Sequence, residues 1–180
     1  MSLFGQLYVW WNMRRAGRSI RRFGVHAVYV GDYSRDPPAW VYSVGFDEQF
    51  DYPEVVAFDM PQPTAARFVA YTYDEVKAGR LVIEDGATAD GAETRCVWRK
   101  VHPDQLAEWL PLALWRRYAK TGKRVGLEAY QLVLSDPDGL MPWEPGYDER
   151  LRPLQPALWE PLDGETGAHR TDGGRRWERS

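Results

Sequence analysis

Carboxylates beside predicted strands are the groups in this sequence best placed to do chemistry. The run 131–134 is short, apolar and partly β-branched, which predicts a largely buried strand, and a turn containing Asp136 and Asp138 ends it. Trp143 follows this turn, and Glu54 begins another predicted strand. If these elements converge, the three acids can bind a divalent cation or share a proton beneath the indole.

Each of these groups also has a structural interpretation. The sequence Asp-Pro-Asp-Gly at 136–139 forms turns without a ligand, because aspartate side chains accept hydrogen bonds from their own turn. Trp143 can equally cover the core, as most buried tryptophans do. His26 is a further possible partner of the acids, although carboxylates are by default surface or capping groups. The closeness of these residues in space is therefore a hypothesis.

Two further combinations contain a nucleophile. Cys96 and His102 are a conceivable thiolate and base, but their spacing does not fix their geometry, and a lone cysteine is more often a buried structural thiol. Ser43 lacks the glycine two places before it that a nucleophile elbow requires, so we exclude it as a nucleophile. With one cysteine and three widely spaced histidines, no zinc-binding spacing is present and no metal site is predicted.

The composition is that of a globular protein with an aromatic core. The 180 residues are 44% hydrophobic and 27% charged, and they include nine Trp, ten Tyr and six Phe. A single cysteine excludes an internal disulfide framework and predicts a reducing compartment. No run reaches the roughly 18 apolar residues of a membrane span, and no signal-peptide pattern is present. These features predict a cytoplasmic location.

Charge is distributed unevenly along the chain. The net charge is −3, yet the first 25 residues hold five arginines and no acid, which leaves 18 basic residues against 26 acidic ones. The acidic body argues against nucleic acid as a partner, since phosphate binding needs clustered Lys and Arg. The basic start is either a weak membrane-surface or partner-docking helix, a transit peptide, or a helix packed on the body by its tryptophans.

The pattern of apolar residues and turn residues predicts an α+β fold. We expect a mainly antiparallel sheet of five or six strands, with two or three helices packed on one face. Strands are predicted at 25–30, 40–46, 54–58, 81–83, 96–101 and 131–134, and helices at 3–22, 62–78, 103–109 and 112–119. Within 40–46, alternation places Tyr42 among large side chains and Ser43 on a face of small ones, where a helix or a ligand can lie.

Several short stretches resemble a bacterial family of unknown function, the domain-of-unknown-function family 4262. They occur in the family's order: Phe23-Gly24-Val25, Trp40 to Phe46, Tyr52 to Val56, Tyr130 to Val133, and then Asp136, Gly139, Pro142 and Trp143. Ser43 stands where the family usually has threonine, and Phe46 where it has leucine. The resemblance covers about residues 24–158. It implies a whole bacterial domain, which speaks against the transit peptide, and it assigns no catalytic residue and no cofactor.

These observations divide the chain into a basic helical arm at 1–22, one α+β domain at 23–158 and a disordered tail at 159–180. The predicted function is a non-enzymatic binding or regulatory module, of an immunity or ligand-sensing type, for a protein or small-molecule ligand. The alternative is a small hydrolase or metal-dependent enzyme that uses carboxylates at Glu54 and at 136–143. The candidate ligand-binding residues are Tyr42, Ser43, Glu54, Gln131, Asp136, Asp138 and Trp143.

Overall fold

The computed structural model of the chain describes residues 3–31, 38–88, 94–123 and 125–162, with only the backbone for 3–10. Within these ranges five strands and five α-helices follow one another. The strands are β1 (His26–Val30), β2 (Trp40–Val44), β3 (Glu54–Phe58), β4 (Cys96–Lys100) and β5 (Ala129–Leu134). The helices are α1 (Leu3–Phe23), α2 (Phe46–Phe50), α3 (Gln62–Lys77), α4 (Leu106–Trp109) and α5 (Pro111–Thr121).

The strands form one sheet in the order β1-β2-β3-β5-β4. All neighbouring strands are antiparallel except β3 and β5, which are parallel, with Glu54 opposite Ala129 and Ala57 opposite Leu132. β3 is the central strand and β5 lies beside it, and both are almost wholly buried, as their mainly apolar sequences predict. The predicted α+β class with a mostly antiparallel sheet is confirmed.

Helices cover both faces of the sheet rather than one. On one face α3 packs Ala65, Val69 and Tyr73 against Val41 and Ala57 of the sheet. On the other face α4 and α5 pack Trp109 and Ala113 against Tyr42, Val56 and Phe58. Because every inner strand points alternate side chains to opposite faces, and both sets are apolar here, a cover on one face alone would leave the other set exposed.

The run 81–83 does not form the sixth strand. Ile83 is buried and its backbone N–H donates to the hydroxyl of Tyr52 (2.6 Å), while Val82 is exposed. Within the described residues, the sheet edge at β4 is met instead by an isolated bridge between Thr88 and Val97. A side-chain hydroxyl therefore takes the backbone donor that a strand partner would otherwise have bound.

The short helix α2 stands where the sequence predicts an acidic loop. Gly45 precedes it with φ of 134°, and a Cβ at this position would lie 2.9 Å from the carbonyl oxygen of Gly24, so only glycine fits. Asp47 and Glu48 of α2 form ion pairs with Arg117 and Arg116 of α5. These pairs fix the turn between β2 and β3 against the helical layer.

Both ends of the described chain are attached to this core. Ala16 and Ile20 of α1 are buried, and Arg116 of α5 donates to the carbonyl oxygen of Met13 (3.1 Å). At the other end Leu158 is buried, and its carbonyl oxygen accepts from the N–H of His102 (2.7 Å). The predicted tail lies outside the described residues from position 163 onward. None of the helices in the described ranges combines the length and hydropathy that crossing a bilayer requires.

Candidate functional site

Glu54 lies at the start of β3 with its carboxylate closed off from solvent. The residue is 1% exposed. The hydroxyl of Ser43 donates to Oε2 (2.5 Å), and the N–H groups of Gly45 (2.8 Å) and Asp47 (3.3 Å) donate to Oε1. Ser43 in turn accepts from the N–H of Val55 (2.8 Å). Glu54 and Ser43 therefore join β2 to β3, and Glu54 caps the N-terminus of α2 from the start of the following strand.

Burial dominates the electrostatics of Glu54. Desolvation of the carboxylate raises its pKa from 4.5 to about 7, and the hydrogen bonds from Ser43, Gly45 and Asp47 lower it only in part. A carboxyl group with this pKa can exchange a proton near neutral pH. The surrounding donors leave no open side from which a substrate can approach it without a local opening of the fold.

Asp136 belongs to a turn, as its structural interpretation predicts. Its Oδ1 accepts from the N–H groups of Asp138 (3.0 Å) and Leu140 (2.8 Å), and its Oδ2 accepts from the N–H of Asp148 (3.1 Å). Asp136 is buried, whereas Asp138 is exposed. The buried carboxylate thus organises the loop that carries Trp143.

The expectation that Glu54 and Asp136 share one pocket is wrong. β3 and β5 are parallel, and Glu54 at the start of β3 is level with Ala129 at the start of β5. Asp136 follows the end of β5, seven residues farther on, which at the rise of a strand corresponds to roughly 20 Å. The sequence identified both carboxylates, but it did not indicate that the two strands run in the same direction.

The sequence also proposed His26 as a partner of the acids and paired Cys96 with His102. Burial, and then the positive charges of Arg15 and Arg116, lower the pKa of His26. The spacing of six residues between Cys96 and His102 spans the whole of β4, so the two residues lie at opposite ends of it. Burial raises the pKa of the Cys96 thiol, which donates to the carbonyl oxygen of Thr94 (3.1 Å). Across the described residues, no group of three or more His, Cys, Asp or Glu side chains is arranged to hold a metal ion.

Tyr42 and Gln131 are buried in different parts of the structure. The hydroxyl of Tyr42 accepts from the N–H of Leu112 (3.3 Å) under α5. Gln131 donates to the carbonyl oxygen of Pro156 (2.9 Å) and accepts from the N–H of Leu158 (3.1 Å). Gln131 therefore holds the segment 156–158 against the sheet.

Trp143 is the one candidate residue whose side chain is both large and substantially exposed. It is 41% exposed and lines an open groove of about 500 Å³. Its indole meets that of Trp159 edge to face, with ring centres 5.5 Å apart. The guanidinium of Arg99 lies 4.9 Å from the Trp143 ring centre and 5.1 Å from that of Trp159. The remaining lining residues are Pro142, Glu149, Arg152, Pro153, Gln155, Pro156, Ala157 and Glu160.

Two walls of different origin form this groove. One wall is the loop after β5, which Asp136 organises, and the other is the segment 152–160, which Gln131 and Gln155 attach to β5. Gln155 accepts from the N–H of Leu134 (2.8 Å) and donates to its carbonyl oxygen (3.1 Å), as a neighbouring strand would. The second wall was not predicted as part of a site, since the predicted domain ended at Leu158 and the tail began at Trp159.

The fold and the site together define the class of protein. It is a five-stranded α+β domain with an aromatic groove beside the end of β5. The family model for the domain of unknown function DUF4262 matches residues 19–148, which is more than half of the chain, and the protein belongs to that family. No curated protein and no solved structure matches the chain. The groove wall at 152–160 lies beyond the matched residues.

Proposed function

We propose that this protein is a non-enzymatic binding module whose groove between Trp143 and Trp159 accepts an extended peptide bearing prolines and a basic side chain. The observation that carries the proposal is the exposed Trp143 indole on a groove of about 500 Å³ lined by three prolines. Ligand sites are concave and largely apolar, with a few placed polar groups. This groove has both properties.

The apolar part of the groove suits a ligand that is already extended. Pro142, Pro153 and Pro156 hold the backbone of both walls in restricted conformations, so little entropy is lost when a ligand binds. Arg99 fixes both indoles by contacting their rings, and Asp85 holds this guanidinium through Nε (3.2 Å). Rigid aromatic grooves recognise proline-rich segments because these segments are also ordered before binding.

The polar part of the groove favours a cation. Glu149 forms a two-point ion pair with Arg152, whereas the carboxylate of Glu160 has no hydrogen-bond or ion-pair partner among the described residues. A ligand arginine can contact this carboxylate and stack on an exposed indole, since both interactions attract a guanidinium. The closed environment of Glu54 and the turn role of Asp136 support a binding role over one in catalysis.

Replacement of Trp143 by alanine should weaken peptide binding by about tenfold or more, because exposed aromatic anchors carry a large share of binding energy. The probe is a synthetic peptide of repeated Pro-Pro-Arg units, and its binding is followed by tryptophan fluorescence. Tyr71→Ala, which removes another exposed aromatic side chain on α3, is the matched control and should bind the peptide as the wild type does. Equal affinity for a Pro-Pro-Glu peptide, or no loss in Trp143→Ala, would contradict the proposal.

A further inference from the structure

Five arginines form one outward face of α1. They are Arg14, Arg15, Arg18, Arg21 and Arg22, and all are exposed. At about 100° of rotation per residue their side chains lie within an arc of roughly 120°. Ala16 and Ile20, which are buried against the body, lie on the opposite side of the helix. This arrangement, which we call the arginine face, is thus held in a fixed orientation by core contacts.

Among the described residues, no acid pairs with Arg18 or Arg21 at the centre and edge of the arginine face. No acid precedes Asp32 in the sequence. The acids of α2 are already engaged, since Glu48 pairs with Arg116 and Asp47 with Arg117. Among the described residues Arg18 and Arg21 have no hydrogen bond or ion pair, and both line a concave surface next to Arg116. The face therefore presents a concentrated positive potential on a protein whose net charge is negative.

An exposed tryptophan lies among these arginines. Trp11 lies near the middle of the arc and is 50% exposed, and the guanidinium of Arg15 lies 5.5 Å from its ring centre. Exposed tryptophan among basic residues on a surface helix is typical of contact with the headgroup region of a bilayer.

From this geometry we infer that the arginine face docks the protein onto an anionic lipid bilayer. Charge complementarity supports the association, and Trp11 can enter the headgroup region while the buried side of α1 stays on the body. A bilayer meets only one face of the molecule. A long nucleic acid would extend past the face onto the acidic body, where 26 acidic residues outnumber the 18 basic ones outside the first 25 positions.

Sedimentation with lipid vesicles tests this inference. The wild-type protein should bind vesicles of phosphatidylcholine mixed with phosphatidylglycerol, should not bind phosphatidylcholine alone, and should be released as salt is raised. Each basic residue near an anionic surface contributes roughly a fivefold factor to partitioning. Arg18→Glu/Arg21→Glu should therefore reduce the partition coefficient more than tenfold, with an unchanged melting temperature because both side chains are exposed.

The matched control is Arg67→Glu/Lys77→Glu, which changes the net charge by the same amount. Both residues lie on α3, which packs on the face of the sheet opposite to α4 and α5. This control should retain most of the vesicle binding. Trp11→Ala should also remove the blue shift of tryptophan emission that vesicles produce. Equal loss in both double variants, or equal binding to neutral vesicles, would overturn the inference. Binding to a DNA duplex with no binding to anionic vesicles would overturn it as well.

Discussion

Glu54→Gln should remove a pH dependence of stability that the wild-type fold shows between about pH 4.5 and pH 7. Over this range the free energy of unfolding of the wild type should fall by roughly 3 kcal/mol relative to the variant. Glutamine is a neutral side chain of the same shape, and its amide can replace the protonated carboxyl group between Ser43 and the N–H of Gly45.

The direction of the effect follows from the raised pKa of Glu54. The unfolded chain releases this proton near its ordinary pKa of 4.5, whereas the folded protein keeps the proton until about pH 7. Between these values the folded state binds more protons than the unfolded state, so stability decreases as the pH rises. Above the folded pKa both states are ionised, and the contribution of Glu54 no longer changes.

Urea denaturation at a series of pH values measures this difference. Other carboxyl groups also titrate, and subtraction of the Glu54→Gln curve removes their shared contribution. Asp138→Asn is the matched control, since it neutralises an exposed carboxylate and should leave the pH slope of the wild type intact. Parallel curves for the wild type and Glu54→Gln would show that Glu54 keeps an ordinary pKa in the folded protein.

Gln131→Leu should lower the free energy of unfolding by roughly 1 to 3 kcal/mol. Leucine has a similar size, but it removes the hydrogen bonds that Gln131 forms with the carbonyl oxygen of Pro156 and the N–H of Leu158, which keep only their bond to each other (3.0 Å). A hydrogen bond within a protein contributes about 0.5 to 1.5 kcal/mol. Because the segment 152–160 is one wall of the groove, the variant should also bind the Pro-Pro-Arg peptide more weakly.

Denaturation measures the loss of global stability caused by this substitution, and hydrogen exchange measures the local release of the segment 152–160. The amide of Leu158 should exchange faster in Gln131→Leu, by a larger factor than amides of the opposite sheet edge in β1. Gln62→Leu, an exposed position in the first turn of α3, is the control and should alter neither stability nor exchange appreciably. Unchanged exchange at Leu158 would mean that the segment is held by its apolar contacts and that Gln131 contributes little.

The local elements were predictable because their signals lie within each segment. β3 was predicted at its observed limits, and α3 follows from Pro63 at its start and an apolar stripe that includes Ala65 and Val69. The predicted face of small residues at Ser43 is covered by a helix layer and by Glu54. The spacing of apolar residues shows whether one side or both sides of a segment are buried, and for these segments it was sufficient to predict the strand or helix.

The features that the sequence did not predict depend on contacts between different elements of the fold. The cap of α2 is the carboxylate of Glu54, eight residues after the helix begins, so no capping sequence marks its start. The parallel pairing of β3 with β5 joins strands separated by more than 70 residues. That pairing decides that Glu54 and Asp136 lie apart, and neither strand encodes its direction relative to the other.

The groove is the clearest example of this limit. Trp143 was recognised as a candidate beside a turn, but the predicted tail began at Trp159, the indole that Trp143 meets. Prolines and charged residues at 152–160 give no periodicity, and the segment is ordered by hydrogen bonds from Gln131 and Gln155 rather than by a helix or strand pattern. A glutamine inside an apolar strand was the available signal, since a buried amide requires partners.

The proposed function requires that the ligand binds between Trp143 and Trp159. Nuclear magnetic resonance of the indole N–H groups during titration with the Pro-Pro-Arg peptide tests it most directly. We expect saturable shifts for Trp143 and Trp159, and none for Trp98 and Trp109, which are buried on opposite faces of the sheet. Unchanged resonances of Trp143 and Trp159 at peptide concentrations that shift other residues would show that the peptide binds elsewhere on the protein.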